Sequence, residues 1–335
     1  MTTTHVLLRR LTVTLGLCAS IAPPGAAQGD WSPRLQLDND VYNYWQRHTR
    51  RPDEEYTNGV HVSLESLTAP WWGRRFANRT PDCAGAVGPE PCRATAVMLG
   101  QDLYTPDLDR APHTVPDWEL ERPYFAWLYL KGVARVSSRR VLHETSVSLG
   151  VTGPPAAGEL AQRIAHEIGF NDKATGWETQ IGFEPGVVAE YRQHRYLGRA
   201  GGARGPGIEI WPHFGVTAGN VLAQAEAGAT LRLGWNLSHP WHPAAWRGRA
   251  RTEWWASAGG RAMYVARNMS LDGTWRAPVR RVERISGVRE FELAGGLRVR
   301  EVTIGYRAVT RTREYRTGPA RHTYGSMIVG YRVGL

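Results

Sequence analysis

Lysine is nearly missing from this chain. Of 41 basic residues only Lys131 and Lys173 are lysines, so the net charge of +10 is carried by arginine. Neither lysine stands in a Gly-Lys-Ser/Thr loop, which excludes that phosphate cradle. Cysteine is equally scarce, with Cys18, Cys83 and Cys92 the whole supply, and this excludes a zinc centre built from clustered thiolates. No Gly-x-Ser-x-Gly stretch occurs, which argues against a nucleophile-elbow hydrolase. Ser63 and Ser66 follow His61, but no Ser-His-acid set emerges around them. No repeat of blade length is visible, which counts against a propeller. After the N-terminal segment no apolar run reaches the roughly 20 residues that a membrane-spanning helix needs.

That first segment has its own pattern. Arg9 and Arg10 precede the apolar run Leu11 to Ala22, followed by Pro23, Pro24, Gly25, Ala26 and Ala27. This is the layout of a secretory signal spanning 1–27, with cleavage after Ala27 and a mature domain over 28–335. Leu17 occupies the position where a lipoprotein signal carries a small residue, so Cys18 is not read as a lipidation site. Export removes Cys18 and leaves Cys83 and Cys92 flanking a Gly- and Pro-rich segment, which in an oxidising compartment reads as a disulfide staple. For an exported protein, a basic surface meets anionic lipid or lipopolysaccharide phosphates rather than nucleic acid. The arginine fork matches phosphate oxygens. The plainer alternative is that the arginines lie in solvated loops or at the membrane boundary.

What recurs along the chain is a period of two, the signature of strands. From Gln224 to Trp235, Ala225, Ala227, Ala229, Leu231, Leu233 and Trp235 share one face, while Gln224, Glu226, Thr230 and Arg232 share the other. The pattern returns at Val60, Val62 and Leu64, at Thr179, Ile181 and Phe183, and at Val329, Tyr331, Val333 and Leu335. About twelve such segments begin near Trp31, Tyr56, Ala94, Tyr124, Val141, Trp177, Gly207, Leu222, Thr252, Arg284, Val299 and Arg321. An even count suits an all-β, closed antiparallel transmembrane barrel, and 14 tryptophans with 13 tyrosines suit aromatic girdles at the membrane boundaries. A soluble sandwich or propeller would also alternate. One stretch breaks the period: Gly158 to Gly169 has helical spacing, with Leu160, Ala161, Ile164, Ala165 and Ile168 on one side and Glu159, Gln162 and His166 on the other. It is expected as a short loop helix near the extracellular rim, over the barrel mouth.

Six polar positions stand out. Asn39 and Asp40 close the first strand, Thr57 opens the second, Gln162 and His166 lie four residues apart on one helix face, and Asp172 follows the helix. Each has a bland alternative: Asn39 and Asp40 cap a strand into a turn, Thr57 fills a strand, and His166 is a solvated histidine. On a regular strand Asn39 and Asp40 point to opposite faces, so their joint use requires a bulge or twist.

Taken together, the Asn39-Asp40 pair, Tyr56-Thr-Asn-Gly59, Gly100-Gln-Asp-Leu-Tyr-Thr-Pro106, Arg122-Pro-Tyr124, Gly153-Pro154, the Gln162/His166 helix and Gly176-Trp177 resemble, in their order, the lipid A 3'-O-deacylases of the outer membrane. The likeness runs over nearly the whole mature chain. It implies a twelve-stranded outer-membrane barrel that hydrolyses an acyl ester of lipid A, with lipopolysaccharide and outer-membrane lipids as its partners. It also implies His166 as general base, Gln162 as the neighbour orienting it, Asn39 and Thr57 as pocket residues, and Asp40 with Asp172 as ligands of Ca2+. The family's second acid is commonly Glu, so Glu167 and Glu178 stand as alternatives to Asp172. Phe125 and Ala126 depart from a block where the family often has Gly, and Phe125 is expected either to shape the substrate groove or to pack against lipid. The competing functions are an outer-membrane phospholipase and a non-catalytic pore or lipopolysaccharide-binding barrel.

Overall fold

The computed structural model describes residues 31–42, 55–76, 79–86, 88, 90–106, 121–169, 176–202, 204–242, 251–276 and 281–332. The expected signal segment, Asp172 and the last three residues lie outside them.

Thirteen strands form one antiparallel sheet: β1 Trp31–Asn39, β2 Glu55–Ser66, β3 Cys92–Thr105, β4 Phe125–Ser137, β5 Val141–Thr152, β6 Pro185–Arg195, β7 Gly198–Gly201, β8 Pro206–Gly219, β9 Leu222–Trp235, β10 Thr252–Asn268, β11 Gly287–Val299, β12 Val302–Thr312 and β13 Arg321–Tyr331. Consecutive strands pair except β6 and β7, β1 also pairs with β13, and β6 pairs with β8. The ring is therefore closed and has no free edge in its wall. The short β7 continues β6 along the same flank of β8, at Gly198↔Ile210 to Gly201↔Gly207, so the wall has twelve strand positions.

The alternation places apolar side chains outside and charged ones inside. Along β9, Leu231, Leu233 and Trp235 are exposed while Glu226 is buried. Leu99, Leu130, Leu149, Phe214, Leu293 and Ile304 are likewise exposed on other strands. A sheet in water does the reverse; this polarity belongs to a wall that faces lipid. Inside, arginines meet glutamates from neighbouring strands. Arg261 bridges Glu226 and Glu290 at 2.7 Å each, Arg135 reaches Glu65 at 2.7 Å and Glu144 at 2.6 Å, and Lys131 pairs with Glu190. Much of the arginine is thus used neither on lipid phosphates nor in solvated loops, but as lumenal packing, where each charge is compensated by its cross-strand partner.

The end of the barrel holding both described termini is strapped. Cys83 and Cys92 form a disulfide. From the β9–β10 connection, the segment Leu237 to His242 crosses the mouth: His239 Nε2 lies 2.9 Å from the Arg139 carbonyl, Trp241 Nε1 donates to the Ser138 carbonyl at 2.9 Å, and His242 Nε2 lies 3.3 Å from the Glu90 carbonyl. Glu90 belongs to the β2–β3 connection, diametrically opposite in the strand order.

At the other end, the loop end, Arg122 is fully enclosed. Its Nε lies 3.1 Å from Glu55 Oε2, an Nη lies 3.5 Å from Glu314 Oε2, and its guanidinium stacks 4.7 Å from the Tyr104 ring centre.

Two sequence expectations change here. The segment at Trp177 is no strand: Gly176 takes a left-handed φ of 102°, Trp177–Thr179 is a 3-10 turn, and the strand begins at Pro185. Its alternation of apolar residues arises because Trp177 and Ile181 are buried by two different clusters, with Phe183 exposed. The helix Gly158–Gly169 exists as expected, but it lies against the outside of the wall at β3 and β4 rather than over the mouth.

Candidate functional site on the outer wall

The register fixes which residues share a face. One row, Asn39 on β1, Asn58 on β2, Leu103 on β3 and Ala126 on β4, consists of direct partners. It has the parity of Leu99 and Leu130 and therefore faces outward. At about 4.8 Å per strand the row spans roughly 14 Å. Unlike its lipid-exposed relatives lower on the wall, this outward row is covered: Leu103, Tyr124, Ala126, Ala156 and Trp177 form one buried cluster with Ala161 packed against it.

Three contacts hold the cover down. Gln101 Nε2 donates to the Ala156 carbonyl at 2.6 Å. Trp177 Nε1 donates to Gln162 Oε1 at 2.6 Å. Gly158 starts the helix so near the wall that a Cβ there would stand 2.4 Å from Trp177 and 2.6 Å from Ala126. Glycine is what permits this approach.

The helix turns a polar residue to the wall and leaves two large apolar ones exposed. Gln162 is only 4 % exposed, whereas Leu160 and Ile164 are 46 % and 47 % exposed. Gly158, Ala161 and Gln162 face the wall, and the exposed side carries Leu160 and Ile164 together with Glu159, Arg163 and Glu167. His166 follows Gln162 by four residues, one helical turn; its side chain lies outside the described residues. Glu167 is exposed, as is Glu178. Phe125 neither lines this groove nor meets lipid. It points inward and is buried with Ile181, Val188, Val221 and Met269, because alternation gives Ala126, not Phe125, the outer position.

The first strand ends at Asn39, whose Oδ1 accepts the Val41 N–H at 2.7 Å, so its turn-capping role is realised. Asp40, 3 % exposed, opens a 3-10 turn, Asp40–Tyr42. That turn lies on the outer face of the barrel, since the Tyr42 carbonyl accepts from Tyr306 on the outward side of β12 at 2.6 Å. The strand ends at Asn39 and the turn begins at Asp40, so the strict alternation of faces stops between them. Thr57, 2 % exposed, sits at a bulge between Tyr56 and Asn58, and its Oγ1 lies 2.6 Å from Thr105 Oγ1. Asn58, Gln101, Thr105 and Trp177 were not singled out from sequence. The signal was present for all four, in the motif blocks Tyr56–Gly59, Gly100–Pro106 and Gly176-Trp177 that contain them.

For calcium, the donor chemistry fits in kind: Asp40 offers a buried carboxylate, and hydroxyl and amide oxygens surround the strand ends. Among the described residues no group of three or more His, Cys, Asp or Glu side chains converges to hold an ion.

Comparison with known proteins agrees with this architecture. The family model described as outer membrane protein LpxR matches residues 11–333. No curated protein matches the chain by sequence. Among solved structures the chain is similar to LpxR from Salmonella typhimurium, with a TM-score of 0.71 at 19 % identity, covering 90 % of this chain and 99 % of that one. It is more distantly similar to the beta domain of the Bordetella autotransporter BrkA, with a TM-score of 0.46 at 10 % identity over 92 % of this chain and 99 % of that one. A closed barrel wall, an inside-out polarity and a family match over nearly the full length lead to one statement: this chain belongs to the LpxR family of outer-membrane proteins.

Proposed function

We propose that the protein is a lipid A deacylase that hydrolyses the ester of a 3'-linked acyl chain, working on the outer wall of its barrel rather than in the lumen. The observation that carries this reading is Gln162, a polar helix residue buried against the outward face of the wall and held there by Trp177. A helix seated on a lipid-facing wall with a polar residue beneath it makes a slot in which a lipid's ester can meet polar groups without leaving the membrane boundary.

In this reading the loop end faces the exterior, where outer-membrane barrels carry their longer loops. His166, one turn beyond Gln162, takes the proton from a water whose oxygen attacks the acyl carbonyl. The bond between the acyl carbon and the sugar's ester oxygen breaks, and the proton passes to that sugar oxygen as the fatty acid leaves. Gln162, fixed by Trp177, holds the helix face to the wall; Asn39 and Thr57 line the polar pocket. Calcium held by Asp40 and Asp172 would supply the positive charge that steadies an oxyanion.

The test is mass spectrometry of lipid A incubated with purified protein in detergent, beside a phospholipid control. Shortened lipid A, with loss of activity on chelation or in His166→Ala, is the expected result. Activity unchanged by either treatment removes the proposed chemistry, and cleavage of the phospholipid instead transfers the same chemistry to a glycerolipid.

A further inference from the structure

Directly behind the outer row, on the lumenal face of the same strands, stands a second polar cluster that the proposed chemistry does not use. Asp38 on β1, Gly59 on β2 and Asp102 on β3 are register partners and form the inward row. The Tyr56 hydroxyl lies 3.0 Å from Asp38 Oδ2 and 2.9 Å from Asp102 Oδ1, bridging them across β2. His61 Nε2 stands 2.9 Å from the same Asp102 oxygen, and Gln36 Nε2 donates to Asp38 at 2.9 Å. The Tyr56 ring can lie along its own strand only because position 59 is glycine: a Cβ there would sit 2.0 Å from the hydroxyl.

Each anchor adjoins a residue of the outer site. Asp38 precedes Asn39, Tyr56 precedes Thr57, and Asp102 precedes Leu103. Between Tyr56, fixed inside, and Asn58, paired outside with Leu103, the backbone has one residue too many for the ladder, and Thr57 is that bulged residue. A bulge re-aims the side chains around it. Its geometry here is set by where Tyr56 is tied.

We infer that Tyr56, clamped from the lumen by Asp38 and Asp102, is a positioning residue that fixes the Thr57 bulge and thereby aligns the site on the opposite face of the wall. Tyr56 touches no substrate; it acts through the backbone of β2. The inference rests on the outer-wall reading of the site.

The experiment uses the full chain in detergent, comparing wild type with Tyr56→Phe, Asp102→Asn and Asp102→Ala. Two readouts are taken, hydrogen exchange of the segments 55–61 and 101–105 and hydrolysis of lipid A. Tyr56→Phe is expected to raise exchange in those segments and to lower kcat by about 10- to 100-fold, the scale of a small misplacement, with KM changed less than about twofold. Asp102→Asn, which keeps an acceptor for the hydroxyl, retains most of the activity, and Asp102→Ala matches Tyr56→Phe. Unchanged exchange in Tyr56→Phe, or equal loss in both Asp102 variants, overturns the inference. An inactive wild type overturns the deacylase reading, while the exchange measurement still decides whether Tyr56 holds the bulge.

Discussion

Arg122 shows how a single side chain can hold two distant parts of this chain together. It is fully buried between Glu55 and Glu314, and the Tyr315 hydroxyl lies 2.6 Å from Glu55 Oε1 and 3.0 Å from Glu121 Oε2. Burial opposes the charged form of Glu314, but the guanidinium groups of Arg311 and Arg122 hold its carboxyl below the ordinary range. Removing the cation takes away the arginine beside Glu55 and one of the two that hold Glu314, so Arg122→Ala is expected to destabilise the barrel by about 3–5 kcal/mol at pH 7, read as a lowered denaturant midpoint in detergent. A carboxyl with a depressed folded pKa contributes stability above its unfolded value, about 4.3 for Glu, and loses it as the pH falls through the lower folded value. The difference between Arg122→Ala and wild type therefore shrinks on acidification. A difference that grows instead would contradict the pairing. Gln162→Ala has a smaller reach: it strands the buried Trp177 indole N–H, at a cost of about 1–3 kcal/mol, and should loosen the helix, measured as faster hydrogen exchange over 158–169, without unfolding the barrel.

At the scale of elements, the strap across the terminal end and the helix on the wall behave differently. His239 Nδ1 accepts the N–H groups of Trp241 at 3.4 Å and His242 at 3.1 Å, which requires a neutral ring. Burial, with the nearby His242, Arg232 and Arg139, pushes its pKa down to about 4. A histidine lowered from about 6.5 leaves the strap at full strength above that value and weakens it as the pH falls toward 4, because the unfolded strap then binds more protons. Exchange protection of the Trp241 and His242 amides, corrected for the intrinsic pH effect, is expected to fall across that window in wild type and to lose this dependence in His239→Gln.

The helix was legible in sequence as an element, through the spacing of Leu160, Ala161, Ile164 and Ala165. Its orientation was not, because amphipathicity names two faces and not which of them meets solvent, lipid or protein. The Asn39 turn was legible in the same limited way: the capping bond is local, whereas the seat of the turn on the outer wall depends on Tyr306, far along the chain. Trp177 misled for a physical reason, since buried residues that alternate across a turn and an extended segment imitate a strand.

Across the whole molecule, the barrel was readable from alternation and aromatic content, because period two survives every change of neighbour. What fills it was not. Arg261 meets Glu226 and Glu290 only because β9, β10 and β11 adopt one register, and register is a long-range property. These pairs, with the strap at one end and the Arg122 cluster at the other, occupy the lumen that a pore would need open. Planar-bilayer recordings at neutral pH are accordingly expected to show no stable ohmic channel, and a steady conductance of porin size would contradict a filled lumen.

The central claim is that the polar face of the wall-bound helix cuts an acyl ester of lipid A. Mass spectrometry of lipid A from cells carrying the intact protein, the His166→Ala variant or neither tests it most directly. The account predicts lipid A lighter by its 3'-linked acyl substituent with the intact protein alone; lipid A of identical mass in all three, with the protein folded in the outer membrane, would contradict it.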